Sequence, residues 1–137
     1  MVVSDRPRAP VARGRILVVD DEELIRRTMV RLFGREHEVI CADSGQAGRA
    51  ILEQDPSFDV ILCDLMMPEM TGMDLHAWLA KYDPALAARI VFMTGGAFTP
   101  RASAYLAGSS NPKIGKPFDP ADVKKLVSKL IAPKSRS

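Results

Sequence analysis

The sequence predicts an α/β domain, a doubly wound parallel sheet of five strands with helices on both faces. Three observations carry this reading. Short apolar runs alternate with helical patterns along most of the chain, the runs are continuous rather than alternating, and a polar residue follows nearly every one. Continuous runs suit parallel strands covered on both faces. The 137 residues, 47% hydrophobic and 26% charged, suit one domain able to bury its own core.

Residues 1–14, MVVSDRPRAPVARG, have no period and read as a disordered leader or linker. Residues 133–137 read as a disordered tail, which leaves 15–132 as the domain. Runs at 16–19, 39–41, 60–63 and 90–93 are four strands. After the first, Leu24, Ile25, Thr28, Met29, Leu32 and Phe33 recur at helical spacing on one predicted face, with Gly34 at the C-cap. Ser44 is placed to cap a second helix carrying Ala47, Ala50 and Ile51 and ending before Pro56. Leu75, Trp78 and Leu79 mark a third. Thr99-Pro100 opens a fourth, running to about Gly108, and Asp119-Pro120 repeats the device before Val123, Leu126, Val127, Leu130 and Ile131. The fifth strand is the faintest element, because Ile114 is its only strong strand former. Five βα units in series imply right-handed crossovers and function at the carboxyl ends of the strands.

Charge and composition exclude several classes. The net charge is +2, but residues 1–15 carry +3 and residues 132–137 carry +2, so the body between them is at −3. Basicity confined to the ends does not point to a nucleic-acid partner. No apolar run approaches the roughly 18 residues of a membrane span, and the first residues lack a signal-peptide apolar core. A cytoplasmic location is expected, with Cys41 and Cys63 reduced and acting as small buried hydrophobes. Monomer and weak dimer both remain open.

The residues that follow the strands carry the chemistry. Asp20-Asp21 follow the first, Asp64 the third, Thr94-Gly95 the fourth and Lys116-Pro117 the fifth. A doubly wound sheet brings these positions to one crevice. Three carboxylates repel one another unless a cation joins them, and an all-oxygen donor set favours Mg²⁺. Lys116, the Thr94 hydroxyl and the Gly95 N–H then suit a phosphoryl ligand. Taken singly, each piece has a plainer reading: Asp20-Asp21 as helix-dipole partners, Asp64 and Thr94 as turn residues, Lys116 as an exposed loop lysine. Their joint placement makes the argument. The run Met66, Met67, Met70 and Met73 reads as packing rather than as soft-metal ligands.

ILVVDDE, DVILCDLMMPEMTGMDL, IVFMTGG and KPFD resemble, in order and spacing, the signature blocks of response-regulator receiver domains of two-component signalling. The resemblance covers about residues 14–132. It implies a flavodoxin-like (βα)5 fold with strand order 2-1-3-4-5 and makes Asp64 the phosphoacceptor. Asp20, Asp21, Asp64 and the backbone carbonyl of Met66 would hold Mg²⁺. Thr94 would be the switch hydroxyl and Lys116 the phosphate-facing lysine, with Pro117 where the family often has a cis peptide.

The implied partner is a histidine kinase or phosphotransfer protein, and the implied chemistry is self-catalysed phosphorylation and dephosphorylation rather than turnover. The TGGAFTPRA stretch resembles receivers found at the ends of hybrid kinases, and the Arg/Pro leader fits a linker from such a hybrid; a stand-alone regulator that works by docking is the alternative. Lys113 departs from the family's usual aromatic residue, and Tyr105 and Phe98 are the rings that could stand in. Met66 and Gly96 offer no polar side chain to place a hydrolytic water, so a long-lived phosphorylated form is expected. One rival is a haloacid-dehalogenase-like phosphatase, which needs a second Asp where Met66 stands. Another is a degenerate receiver that only binds proteins, against which the full Asp, Thr and Lys set argues.

Overall fold

Five parallel strands form the sheet: β1 (Arg15–Val19), β2 (Glu38–Ala42), β3 (Val60–Asp64), β4 (Ile90–Thr94) and β5 (Lys113–Gly115). Their spatial order is β2-β1-β3-β4-β5, as the family resemblance implies. The computed structural model describes residues 13–95 and 99–131 of the chain, so most of the expected leader and all of the tail lie outside the described residues. The helices are α1 (Glu23–Phe33), α2 (Gly45–Gln54), α3 (Gly72–Tyr82), α4 (Pro84–Ala87), α5 (Pro100–Ala107) and α6 (Pro120–Leu130).

Apolar runs without alternation become strands here because both faces of the sheet are covered. In β1, Leu17 and Val19 pack in one core with Leu52, Leu75, Leu79 and Leu106, while Ile16 and Val18 pack in a second with Met29, Phe33, Val123 and Val127. Helices α2, α3, α4 and α5 thus cover one face, and α1 and α6 the other. Every residue of β3 is buried. Each aliphatic side chain buried this way contributes roughly 1.5–3 kcal/mol relative to exposure.

The helix starts follow the expected chemistry. Ser44 accepts from the Ala47 N–H, Thr99 from Ala102 and Asp119 from Ala121. Thr71 and Asp74 form a reciprocal capping box at α3, which satisfies donors at both ends of that turn. Three details differ from the sequence reading. Leu24, placed with the buried face of α1, is 74% exposed, because the buried stripe runs through Ile25, Met29 and Phe33 and leaves Leu24 on its flank. Cys41 is half-buried on β2, while Cys63 is buried as expected. A short helix, α4, was not anticipated. Asp83-Pro84 starts it by the same device as Asp119-Pro120, with Asp83 accepting from the Leu86 N–H.

One glycine lets the site be built closely. A Cβ at Gly72 would lie 2.3 Å from the carbonyl oxygen of Asp64 and 3.0 Å from Leu65 Cα. Only glycine lets the first residue of α3 sit directly against the end of β3, with its N–H donating to the Leu65 carbonyl at 2.9 Å.

Among the described residues no helix is long and apolar enough to cross a membrane. Leu62 is fully buried in the central strand. Leu62→Ala should destabilise the protein by about 2–5 kcal/mol, read from the midpoint shift in urea denaturation.

Candidate functional site

The strand register gathers the polar residues. Val19 is level with Cys63, so the next residues, Asp20 and Asp64, lie side by side at the ends of β1 and β3. Asp64 is level with Met93, and Thr94 with Gly115, so Thr94 and Lys116 complete the row. β1 has β2 on one side and β3 on the other, which makes this edge the topological switch point where a doubly wound sheet opens a crevice. The sequence alone placed these groups at strand ends, and the pairing brings them together.

Carboxylate oxygens of Asp20, Asp21 and Asp64 all lie within 4.8 Å of one another. Asp20 is fully buried, Asp64 is buried and Asp21 is exposed. Lys116 Nζ stands among the acids, 3.0 Å from Asp20 Oδ2, 3.4 Å from Asp64 Oδ1 and 3.7 Å from Glu22 Oε1. The Lys116-Pro117 peptide is cis, as the resemblance implies.

Asp20 Oδ1 accepts from the Glu22 N–H at 2.9 Å, but among the described residues Oδ2 receives no well-directed hydrogen bond and faces the Lys116 ammonium at 3.0 Å. A buried carboxylate oxygen left short of donors, beside two more carboxylates, is what a hard divalent ion such as Mg²⁺ requires. The residues present fit that ion.

The electrostatics agree. Burial raises Asp64 from the ordinary 3.8 to about 6, the neighbouring Asp20 charge adds to the rise, and Lys116 and the Met66 N–H oppose it. Burial also raises Asp20, against the Glu22 N–H and Lys116. Burial pulls Lys116 down, but its contact with Asp20 and the charges on Asp64, Asp20 and Glu22 outweigh that and leave the ammonium above its ordinary value. Like charges are thus crowded further than one ammonium can offset.

The remaining predicted residues sit around this cluster. Thr94 ends β4 and is half-buried, its hydroxyl 3.5 Å from the Ile114 carbonyl. Met66 follows Asp64 by two residues and is exposed, and its backbone N–H meets the Asp64 carboxylate. Lys113 is exposed at the start of β5. Tyr105, a candidate for the missing ring, instead meets His76 Nδ1 at 2.5 Å across α5 and α3, edge-on to Phe92. Gly96 and Phe98 lie outside the described residues.

Sequence reasoning missed several groups at the site. Glu22 shares Lys116, and Arg26 donates to the Asp20 carbonyl at 2.9 Å. Gln46 donates at 2.7 Å to Glu69, a non-glycine residue at φ 65° in the loop after Asp64. Charged residues in a helix's first turns ordinarily face solvent, so only the three-dimensional neighbourhood reveals the first two.

Comparison with known proteins agrees with this geometry. The family description "Response regulator receiver domain" matches residues 16–128, and the chain belongs to that family. Residues 16–128 are thus a phosphoacceptor receiver domain with an acidic pocket suited to a metal ion. The protein is 31% identical to the response regulator receiver protein CpdR of Brucella abortus, over 85% of this chain and 96% of that one. It is 29% identical to the two-component response regulator ORR7 of rice, again over 85% of this chain, but it spans only 56% of the rice protein's length. A receiver-domain crystal structure from Clostridium thermocellum superposes with a TM-score of 0.75 at 26% identity, covering 86% of this chain and 94% of that one. The receiver domain of a Syntrophus aciditrophicus histidine kinase shares the fold with a TM-score of 0.78 at 23% identity, covering 90% and 94%.

Without metal, the folded protein holds a proton on Asp64 between pH 3.8 and about 6 that the unfolded chain has already released. The stability this proton contributes is fully present below the lower value and is lost as pH rises through the upper one. In chelator, Asp64→Asn should therefore be more stable than the parent by about 1–3 kcal/mol at about pH 8, and the gain should shrink toward pH 4. Thermal unfolding across pH measures it.

Proposed function

We propose that Asp64 accepts a phosphoryl group from a phosphohistidine on a histidine kinase or phosphotransfer protein, with residues 15–132 forming the receiver unit of a phosphorelay. The observation that carries this reading is the buried Asp64 carboxylate 3.4 Å from Lys116 Nζ and within 4.8 Å of two more carboxylates. An Asp64 oxygen attacks phosphorus, the P–N bond breaks, and the imidazole leaves as the neutral base after taking up a proton. The product is an acyl phosphate on Asp64.

Asp20, Asp21 and Asp64, with the Met66 carbonyl, would hold the divalent ion. When bound, that ion offsets charge on the transferring oxygens and keeps them in line with the nucleophile. Lys116 already faces Asp64 and supplies a point charge to the same oxygens. Among the described residues the Thr94 hydroxyl makes one long contact, to the Ile114 carbonyl, and it would turn toward the new phosphoryl group and draw the end of β4 with it. Lys113 has no ring to bury, so the response would not run through an aromatic side chain of β5.

Met66 bears no group able to place an attacking water, which favours a persistent acyl phosphate. The same residue disfavours the phosphatase reading, which needs a carboxyl two places after the nucleophile.

Intact mass after incubation with acetyl phosphate and Mg²⁺ tests the reading. The parent should gain about 80 Da, one phosphoryl group, and Asp64→Asn should gain nothing. Lys116→Met should slow labelling by roughly 10²-fold, as loss of one charged contact to the transferring group does. Labelling that survives in Asp64→Asn, or steady release of phosphate from a generic phosphomonoester, overturns the proposal.

A further inference from the structure

We infer that Arg26 is a positioning residue for the cation site: its guanidinium fixes the Asp20–Asp21 peptide so that the exposed Asp21 carboxylate is turned toward Asp20 and Asp64. The inference rests on the reading that these three acids hold a divalent ion.

The chain leaves the sheet at Asp20. Its N–H still pairs with the Ala42 carbonyl of β2 at 3.1 Å, and its carboxylate accepts from the Glu22 N–H at 2.9 Å. Between these two bonds lies the peptide on which Asp21 hangs, and its carbonyl accepts from Arg26 Nη1 at 2.9 Å. Asp21, unlike Asp20 and Asp64, has no burial to hold it. Its aim therefore depends on the backbone orientation before and after it.

Two other helix arginines, one of them next to Arg26, pair within their own helix. Arg27 reaches the glutamate four residues earlier, Glu23, at 3.8 Å, and Arg49 reaches Glu53 at 3.2 Å. Glu22 stands four residues before Arg26, yet its carboxylate goes to Lys116 at 3.7 Å, and Arg26, half-buried as a residue, reaches the Asp20 carbonyl instead. The planar fork of arginine suits this, because it spans from the first turns of α1 to a fixed carbonyl while keeping its charge. A ligand held at the correct angle by a neighbour loses less freedom when the ion binds, and removing such neighbours commonly weakens metal sites by tenfold or more.

The test compares Arg26→Gln, Arg26→Lys and, as a control on the same helix, Arg27→Gln. Mg²⁺ affinity is measured by calorimetric titration, and thermal stability is measured in chelator. Arg26→Gln should weaken Mg²⁺ binding by about tenfold, with Arg26→Lys recovering part of the loss and Arg27→Gln binding like the parent. Melting in chelator should be alike for all three, and the amide resonance of Asp21 should shift in Arg26→Gln before any metal is added. Unchanged Mg²⁺ affinity in Arg26→Gln overturns the inference. So does a fall in chelator stability that accompanies the affinity loss and is not relieved by lysine. If Asp21→Asn binds Mg²⁺ as well as the parent does, the cation site itself is wrong, and the inference falls with it.

Discussion

One ammonium set among too many carboxylates is the constraint on which this molecule depends. Asp20, Asp64 and Glu22 all face Lys116 Nζ at 3.0–3.7 Å, and Asp21 lies within 4.8 Å of the two aspartates. Burial removes the water that would otherwise screen them, which is why Asp64 rises to about 6 and Asp20 rises as well. The fold tolerates this arrangement because the rest of the sheet is apolar and closely packed on both faces. A divalent cation is the charge that would offset this excess.

Everything that sets the distances is backbone geometry. Parallel register makes Asp20 and Asp64 neighbours and brings Lys116 one residue past the end of β5. Gly72 lets α3 abut the Asp64 carbonyl, and the Thr71–Asp74 capping box then holds the start of that helix. Arg26 ties the first strand end to α1, and Gln46 ties α2 to the loop after Asp64. The reactive carboxylate is thus mounted on the central strand, while Thr94, on the neighbouring strand end, makes among the described residues one long contact, 3.5 Å to the Ile114 carbonyl. Rigid placement of the acceptor beside a loosely held hydroxyl is what lets a chemical change become a mechanical one.

Much of this was legible in the amino-acid order. Continuous apolar runs located all four long strands, Ser44, Thr99-Pro100 and Asp119-Pro120 marked helix starts, and the polar residues after the runs are the ones the strand register brings together. The strand order came only with the family resemblance, since hydrophobic pattern does not say which strands lie side by side. What stayed hidden depends on contacts between distant segments. Leu24 carried the helical spacing but sits on the flank of the buried stripe. Arg26 and Glu22 look like solvated residues at a helix start until β1 and β5 are placed beside them. Tyr105 could be named as a ring of interest, but not as the partner of His76 on another helix. Asp83-Pro84 carried the signal for α4, and the shortness of that helix, one turn, concealed it.

The central claim, that three acids from two strand ends share one divalent ion, is tested most directly by crystals grown with Mn²⁺ in place of Mg²⁺ and measured at the manganese absorption edge. The account predicts one strong anomalous peak at about 2.0–2.3 Å from carboxylate oxygens of Asp21 and Asp64 and from the Met66 carbonyl, with Asp20 directly or through water behind it. An empty crevice at saturating Mn²⁺, or a peak that avoids Asp64, would contradict it.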